Sequence, residues 1–395
     1  MLARWPRLPA FAAAFALCLM RGAFAADALP LVGAIRWDAW FKGSEFAAQI
    51  SSPTWKTRAP FFATVARDGA LTIDDTSPET TAKEVSLAAA AGINYFIFGL
   101  YLDKNPDGSV IESRAPFTTP MRNLIDLPNK HGLKFSFFLP IPRYYLDKPR
   151  LKQLVDEFVR KQDFLVTSEG RKVIFIFMPG SPKWTGSASE VAAYQKIVSN
   201  LRDDVKRSVG KTPYLVGLNF YPSLSETLIK TIGLDAISSY GDPLGRWKAG
   251  EASGQQPFKH CAQTSQWYWK ESEALNVPYL PPVSLGWDYR PLIDDKERNK
   301  EPEWCEQPTA QEVKLAVLEA LQKARRQAFP SIVIYAWDEY SEGGFLAPTL
   351  CGGAAKLAGL SEATGSADRF KKALAEVKPA VSADRCAVVP PVLRP

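Results

Sequence analysis

Histidine is almost absent from this 395-residue chain: only His131 and His260 occur. Two histidines without a C-x-x-C pair argue against a zinc site. They also leave little room for a Ser–His–Asp triad, and no G-x-S-x-G elbow is present to carry one. The first predicted strand, in "VGAIRWDAWF", holds only Gly33 and no glycine-rich phosphate loop follows it, so a dinucleotide fingerprint is missing. No internal repeat occurs, and beyond the first 25 residues no stretch is long and apolar enough to suggest a transmembrane helix.

Those first residues read as a secretory signal rather than as part of the fold. Arg4 and Arg7 form a basic start, Ala10–Met20 a short apolar run, and Ala23-Phe24-Ala25 a small-x-small cleavage pattern, which places cleavage after Ala25. Cys18 lacks the small residue that precedes a lipid-attached cysteine. The expected location is therefore the periplasm or the exterior. Removing Arg4, Arg7 and Arg21 with the signal takes the net charge from +6 to +3. That balance is too weak to suggest nucleic acid or an anionic membrane as partner. Export implies an oxidising environment, in which Cys261, Cys305, Cys351 and Cys386 can form two disulfides. Three connectivities are open. Cys261–Cys305 with Cys351–Cys386 is favoured because each closes a moderate loop.

What the chain does contain is a regular alternation. Near-continuous apolar runs predict strands at 31–37, 94–100, 134–139, 172–178, 214–220, 236–240, 279–286 and 331–337. Helical patterns fall at about 79–91, 120–131, 149–165, 187–209, 223–232, 262–275 and 309–328. Proline at the start of the first, in Ser77-Pro78-Glu79, and Gly92 and Gly132 as helix closers support the boundaries. His131 is expected to cap a helix C-terminus as a cation. Eight β–α alternations predict a (β/α)8 barrel over residues 26–352, with 353–395 as a C-terminal helix, at about 367–377, and tail. A doubly wound open sheet is the alternative. Long connections at 41–78, 241–261 and 287–308 would then belong at the C-terminal face of the strands, where such barrels build their sites.

Residues just past each strand are the candidates for that site. They are Asp38 and Trp40; Tyr101 and Asp103; Arg143 and Tyr144; Asn219 and Tyr221; Tyr240 and Asp242; Trp287, Asp288 and Arg290; and Asp338, Glu339 and Glu342. Acids, amides and aromatic rings dominate, and rings stack on the C–H faces of sugars. With 11 Trp in the chain, some are expected to line a groove. The sharpest stretch is "YAWDEYSEGGFLAPTL", 335–350, where Glu339 and Glu342 stand i, i+3 at the end of an apolar strand and Gly343 and Gly344 permit a turn. Two carboxyls held close push one pKa up and leave the other ionised, giving an acid and a base at one pH. Glycosidic bond cleavage needs that pairing. The bland alternative is a surface loop whose acids pair with nearby Lys or Arg.

The same stretch resembles the closing motif of the WbsX-like proteins and the family 99 glycoside hydrolases, related (β/α)8 barrels. Their last strand ends in a pattern of the form N-E-W-x-E-G followed by a hydrophobic residue and an E/A-P exit. Trp337, Glu339, Glu342, Gly343, Leu346 and Pro348 fit it. "GWDYRP", 286–291, resembles the G-W/F-D-x-x-R element of that superfamily at Gly286, Trp287, Asp288 and Arg290, and "RWDAWF" is similar only in flavour. The resemblance implies a retaining glycoside hydrolase acting, with endo action favoured, on an α-linked glycan or polysaccharide. It implies Glu342 as acid/base and Glu339 as the base that deprotonates the neighbouring sugar 2-hydroxyl. Substrate-binding groups would be Asp288, Arg290, Trp287, Tyr240, Asn219, Tyr101, Asp38 and Trp337, and neither cofactor nor metal is required. The chain departs from the motif at Asp338, Tyr340 and Ser341, which leaves a catalytically inactive carbohydrate-binding barrel as the alternative. A glycosyltransferase is disfavoured, because sugar-nucleotide donors are scarce outside the cytoplasm.

Overall fold

The computed structural model describes residues 29–377 apart from 53, 102, 105–109, 112–114, 179–186, 225–226, 242–253 and 294–303. The expected signal segment, Asp242 and Cys386 lie outside the described residues. Eight parallel strands form one sheet: β1 Leu31–Arg36, β2 Tyr95–Gly99, β3 Lys134–Leu139, β4 Val173–Phe177, β5 Tyr214–Leu218, β6 Ala236–Ser238, β7 Pro282–Ser284 and β8 Ser331–Tyr335. Their order is β6-β5-β4-β3-β2-β1-β8-β7. Beside β6 and β7 the ring is completed by a parallel bridge between Ile237 and Tyr279. There Ile237 N donates to Pro278 O at 3.1 Å and Leu280 N to Ile237 O at 2.8 Å. The fold is therefore the (β/α)8 barrel expected from the alternation, not an open doubly wound sheet.

Strand alternation splits the core in two, because side chains i and i+2 share a face. Ile35, Tyr95, Ile97, Phe175, Val216, Leu218, Val333 and Tyr335 fill the barrel interior. Ala34, Phe96, Phe98, Ile174, Leu215, Ile332 and Ile334 pack outward against the helices. Both faces are buried, which is why these strands read as continuous apolar runs rather than alternating ones. Gly33 sits in the interior layer, where a Cβ would overlap the Tyr95 ring. Its absence lets Tyr95 cross the barrel so that its hydroxyl meets Ser331 Oγ at 2.7 Å.

Besides two short helices, Glu45–Ile50 and Tyr144–Asp147, the described helices are α1 Pro78–Ala90, α2 Ala115–Asp126, α3 Pro149–Val159, α4 Ala188–Val209, α5 Phe258–Ala274, α6 Ala310–Ala324, α7 Ala355–Ala363 and α8 Ala367–Val377. Local chemistry sets several of their starts. Ser77 accepts from Thr80 N at 3.0 Å, and Thr309 with Glu312 forms a capping box. In place of the α-helix predicted at 223–232, the described residues form a 3-10 turn, Pro222–Leu224, and a short π-helix, Thr227–Ile232. Helix α2 ends at Asp126, short of the predicted 131. His131 therefore caps no helix: it stands in a turn at φ 50°, where its backbone N–H donates to Asn129 Oδ1. Gly132, at φ 81°, belongs to the same turn. Helix α7 was not predicted. Gly359 brings it against the Ala310 carbonyl of α6, and α8 packs on α1, with Arg369 Nε donating to Ala90 O at 3.1 Å. Among the described residues no helix is long and apolar enough to cross a membrane.

Cys261 and Cys305 are disulfide-bonded, closing a loop of 44 residues between α5 and the segment that follows β7. Cys351 is also disulfide-bonded, and the partner expected for it, Cys386, falls outside the described residues.

Candidate active site

At the C-terminal end of β8 the chain does not run straight into a helix. It loops out at 338–345 and returns to its own strand end, where Leu346 N donates to Ala336 O at 2.9 Å and Ala347 N to Trp337 O at 2.7 Å. Gly343 makes the sharpest bend, at φ 74°, a conformation that costs glycine little. Asp288 N, from the loop after β7, donates to Glu342 O at 2.6 Å and ties the two loops together. The arrangement turns Glu339 and Glu342 into one cavity of about 360 Å³ at the barrel mouth.

Each carboxylate is held by a tyrosine. Tyr240, just past β6, donates its hydroxyl to Glu339 Oε1 at 2.7 Å. Tyr335, the last residue of β8, donates to Glu342 Oε2. The two phenol rings lie 5.4 Å apart, centre to centre, and Gly344 leaves the space the Tyr335 ring occupies. Burial pushes both glutamates above the usual carboxylate range. For Glu339 the second cause is the Glu342 charge, and the Tyr240 hydroxyl opposes the rise. For Glu342 the opposing group is the Tyr335 hydroxyl. Neither glutamate is paired with Lys or Arg among the described residues. Both shifts favour the protonated carboxyl, and the Glu342 charge acting on Glu339 couples the two groups.

Aromatic and apolar side chains form the rest of the wall. Trp37, Phe46, Tyr101, Phe138, Ile141 and Phe177 line the cavity with Tyr240, Ser341 and Pro140. Trp37 stands edge-on to Tyr101 at 5.2 Å and to Phe46 at 5.6 Å. Such walls suit the C–H faces of a sugar ring, and the two carboxyls supply the polar chemistry.

The expectation that every strand end converges on one cleft holds for Tyr101, Tyr240, Glu339 and Glu342; Asp242 and the Asp103 side chain lie outside the described residues, and the following residues are corrected. Asp38 faces outward into a buried cluster, where it accepts from Arg36 at 2.9 Å; burial pushes its pKa up to about 7, against the pull of Arg36. Asp338 turns the same way, accepting from Trp37 N at 2.8 Å, with Arg36 3.5 Å from its second oxygen. Glu84 of α1 completes that group, 3.0 Å from Arg36. Trp337 is fully buried and donates to Glu84 Oε1 at 2.9 Å. Asn219 is buried too, accepting from Tyr268 at 2.6 Å and donating to Tyr221 O at 2.7 Å. Trp287 packs on Tyr335 beside the inner core. Asp288 and Arg290 form an ion pair in a different cavity. Trp40 is buried against Tyr340, and Arg143 pairs with Glu190 at the surface.

Of the three departures from the glutamate motif, only Ser341 lines the cavity; Asp338 and Tyr340 face the outer core. Trp37, Phe46, Phe138, Phe177 and Tyr335 were missed by sequence reasoning. Strand parity would have found three of them, since Trp37 shares the face of Ile35, Tyr335 that of Val333, and Phe177 that of Phe175. Among the described residues no group of three or more His, Cys, Asp or Glu could hold a metal ion.

No protein-family model matches the chain, and no curated protein matches it. Solved structures do. The fold is similar to that of the glycoside hydrolase family 99 endo-alpha-mannosidase from Bacteroides thetaiotaomicron in complex with bis-tris-propane, with a TM-score of 0.52 and 15% identity over 87% of this chain and 98% of that one. A second structure of that endo-alpha-mannosidase gives 0.50 at 15% identity and the same coverage. An exo-beta-1,4-mannosidase from Opitutaceae bacterium strain TAV5 gives 0.46 at 12% identity, over 88% of this chain and 60% of that one. At 15% identity the likeness to the two endo-alpha-mannosidase structures establishes a shared barrel fold.

Proposed function

We propose that this chain is an exported glycoside hydrolase that cleaves α-linked glycan with retention of configuration. The observation that carries the reading is the pair of glutamates, each fixed by a tyrosine hydroxyl, inside an aromatic-walled cavity at the C-terminal mouth of the barrel. In this reading the proton that burial and the Glu342 charge favour on Glu339 before glycan binds lies on Glu342 once the glycan is bound, and Glu342 gives it to the glycosidic oxygen as the bond to the leaving sugar breaks. Glu339, ionised, takes the proton of the neighbouring 2-hydroxyl, and that oxygen attacks its own anomeric carbon. Water, deprotonated by Glu342, then opens the three-membered ring while Glu339 returns the proton to the 2-oxygen. Two inversions leave the anomeric configuration unchanged, and no bond to the protein forms.

Trp37 and Tyr101 are placed to stack on the sugar, and Ser341 to touch a hydroxyl that motif relatives would meet with His or Ala. Mannose is therefore not implied. Both carboxyls sit in a low-dielectric wall, where proton transfer to a developing alkoxide is assisted most.

Product analysis by NMR on a panel of exported bacterial α-glycans tests the proposal. Release of new reducing ends whose first-formed anomer is α supports it, and a mixture of chain lengths early in the reaction supports endo action. A first-formed β anomer refutes the retaining route. Oligosaccharide that binds, yet remains intact after long incubation, returns the chain to a carbohydrate-binding barrel.

A further inference from the structure

A second cavity, of about 390 Å³, shares no lining residue with the glutamate cavity. It lies between the first βα connection, the loop after β7 and the start of α7. Among the described residues its walls bring together three cations, Arg58, Arg290 and Lys356, against one acid, Asp288. Asp288 accepts from Arg290 Nε and Nη2, both at 2.7 Å, and from Arg58 as well. A single carboxylate thus serves two guanidinium groups. Lys356 is 8% exposed and, among the described residues, donates only to neutral acceptors, Gln307 Oε1 at 2.5 Å and Phe345 O at 2.6 Å. Those two bonds use two of its three N–H groups, and the ammonium also lies 3.3 Å from the centre of the Phe345 ring.

This surplus of positive charge is costly where it stands. Burial holds the Lys356 ammonium well below the usual lysine range, and the Arg58 charge adds to the effect. Burial also lowers Arg58, with Arg290 opposing its charge. Buried charge without a partner is normally avoided. The cations are nevertheless held rigidly: the Arg290 guanidinium lies 3.5 Å above the Trp304 ring and 5.1 Å from Trp55, and that of Arg58 lies 4.8 Å from Trp55. Rings on both sides fix the planar group without neutralising it. The Arg290 edge that carries Nη1 takes no part in the Asp288 pair, and 31% of its side chain is exposed.

We propose that this cavity is a binding site for an acidic saccharide residue, its carboxylate received by Arg290 and Lys356 and its ring by the Trp55 and Trp304 walls. A carboxylate offsets the excess positive charge of the described lining, and a fixed guanidinium favours planar, two-oxygen recognition. The volume lies in the range of small-molecule sites and exceeds what a bare inorganic anion fills. Aromatic walls add the surface a sugar ring stacks on. The site is separate from the glutamate pair, so its occupation involves no turnover and does not depend on the proposed hydrolysis.

Calorimetric titration of the full chain tests it, with galacturonate and glucuronate oligosaccharides, their carboxyl-reduced neutral counterparts, and inorganic sulfate as probes. The expected result is binding of at least one uronate series, about tenfold or more tighter than its reduced counterpart and tighter than sulfate. Arg290→Ala and Lys356→Met should each weaken uronate binding by about tenfold or more, with thermal unfolding checked for both variants. The comparison of acidic with neutral sugar uses the unaltered chain, so it stands even where a variant fails to fold. Equal affinity for the reduced sugars, sulfate binding as tight as uronate, or no uronate binding at all would overturn the proposal.

Discussion

The two tyrosines that hold the glutamates give the acid–base assignment a directional test. Tyr335→Phe removes the hydroxyl that donates to Glu342, and Tyr240→Phe the one that donates to Glu339. A hydrogen bond to a charged group contributes about 1.5–3 kcal/mol. Each donor stabilises the ionised carboxylate, so its loss raises that glutamate's pKa. At about 1.36 kcal/mol per pKa unit the rise is about 1–2 units. Glu342 must be protonated to act as acid, so activity is lost as pH rises through its pKa and Tyr335→Phe moves the alkaline limb upward. Glu339 must be ionised to act as base, so activity appears as pH rises through its pKa and Tyr240→Phe moves the acidic limb upward. The assay is the pH dependence of kcat/KM for the free enzyme. The limbs report macroscopic values of the coupled pair, and each shift should fall mainly on the limb named. Opposite limbs moving would reverse the two roles, and unchanged profiles in both variants would refute the account of how the carboxyls are tuned.

Three further outcomes follow from the same geometry. A Cβ on Gly344 would lie 2.5 Å from the Tyr335 ring, so Gly344→Ala should displace that ring. It should reproduce the alkaline-limb shift of Tyr335→Phe and lower stability by about 1–3 kcal/mol, read from urea melts. Asp38, pushed up to about 7 by burial, ionises in the unfolded chain before it does in the folded one. Its contribution to stability is therefore full below about pH 4 and lost as pH rises towards 7. Against Asp38→Asn, the wild type should lose relative stability across that window, and a Tm difference flat with pH would contradict it. Opening the 44-residue Cys261–Cys305 loop with paired serines should cost about 4 kcal/mol on the chain-entropy account, measured by denaturant titration under non-reducing conditions.

The barrel was legible because its strands are buried on both faces: runs such as "VIFIF" and "SIVIY" announce themselves without periodicity. Their number and order in the chain left one closed parallel architecture standing. Helix boundaries were less legible where capping residues misled. Gly132 suggested a helix end, yet the helix stops at Asp126 and His131-Gly132 form a turn.

The candidate site was half legible. Crowded carboxylates among aromatic residues drew attention to Glu339 and Glu342, which do share one cavity, and the interpretation of the acids as exposed surface partners of Lys or Arg does not fit their burial. Counting residues past each strand, without carrying the in–out alternation beyond the last paired residue, misassigned their neighbours. Ile35 faces inward, so Trp37 does too and Asp38 cannot. Leu218 faces inward, so Asn219 turns out towards Tyr268 of α5. Phe46, which comes from a distant part of a long connection, has no local signal that would have placed it at the barrel mouth.

Turnover by Glu342→Gln on a cleaved α-glycan is the most direct measurement of the central claim. The side chain keeps its shape and loses its proton, so turnover should fall by about 10²–10⁴-fold while affinity for the glycan and the thermal melt stay as in the wild type. An undiminished rate, with fold and binding intact, would show that Glu342 is not the group that protonates the leaving sugar.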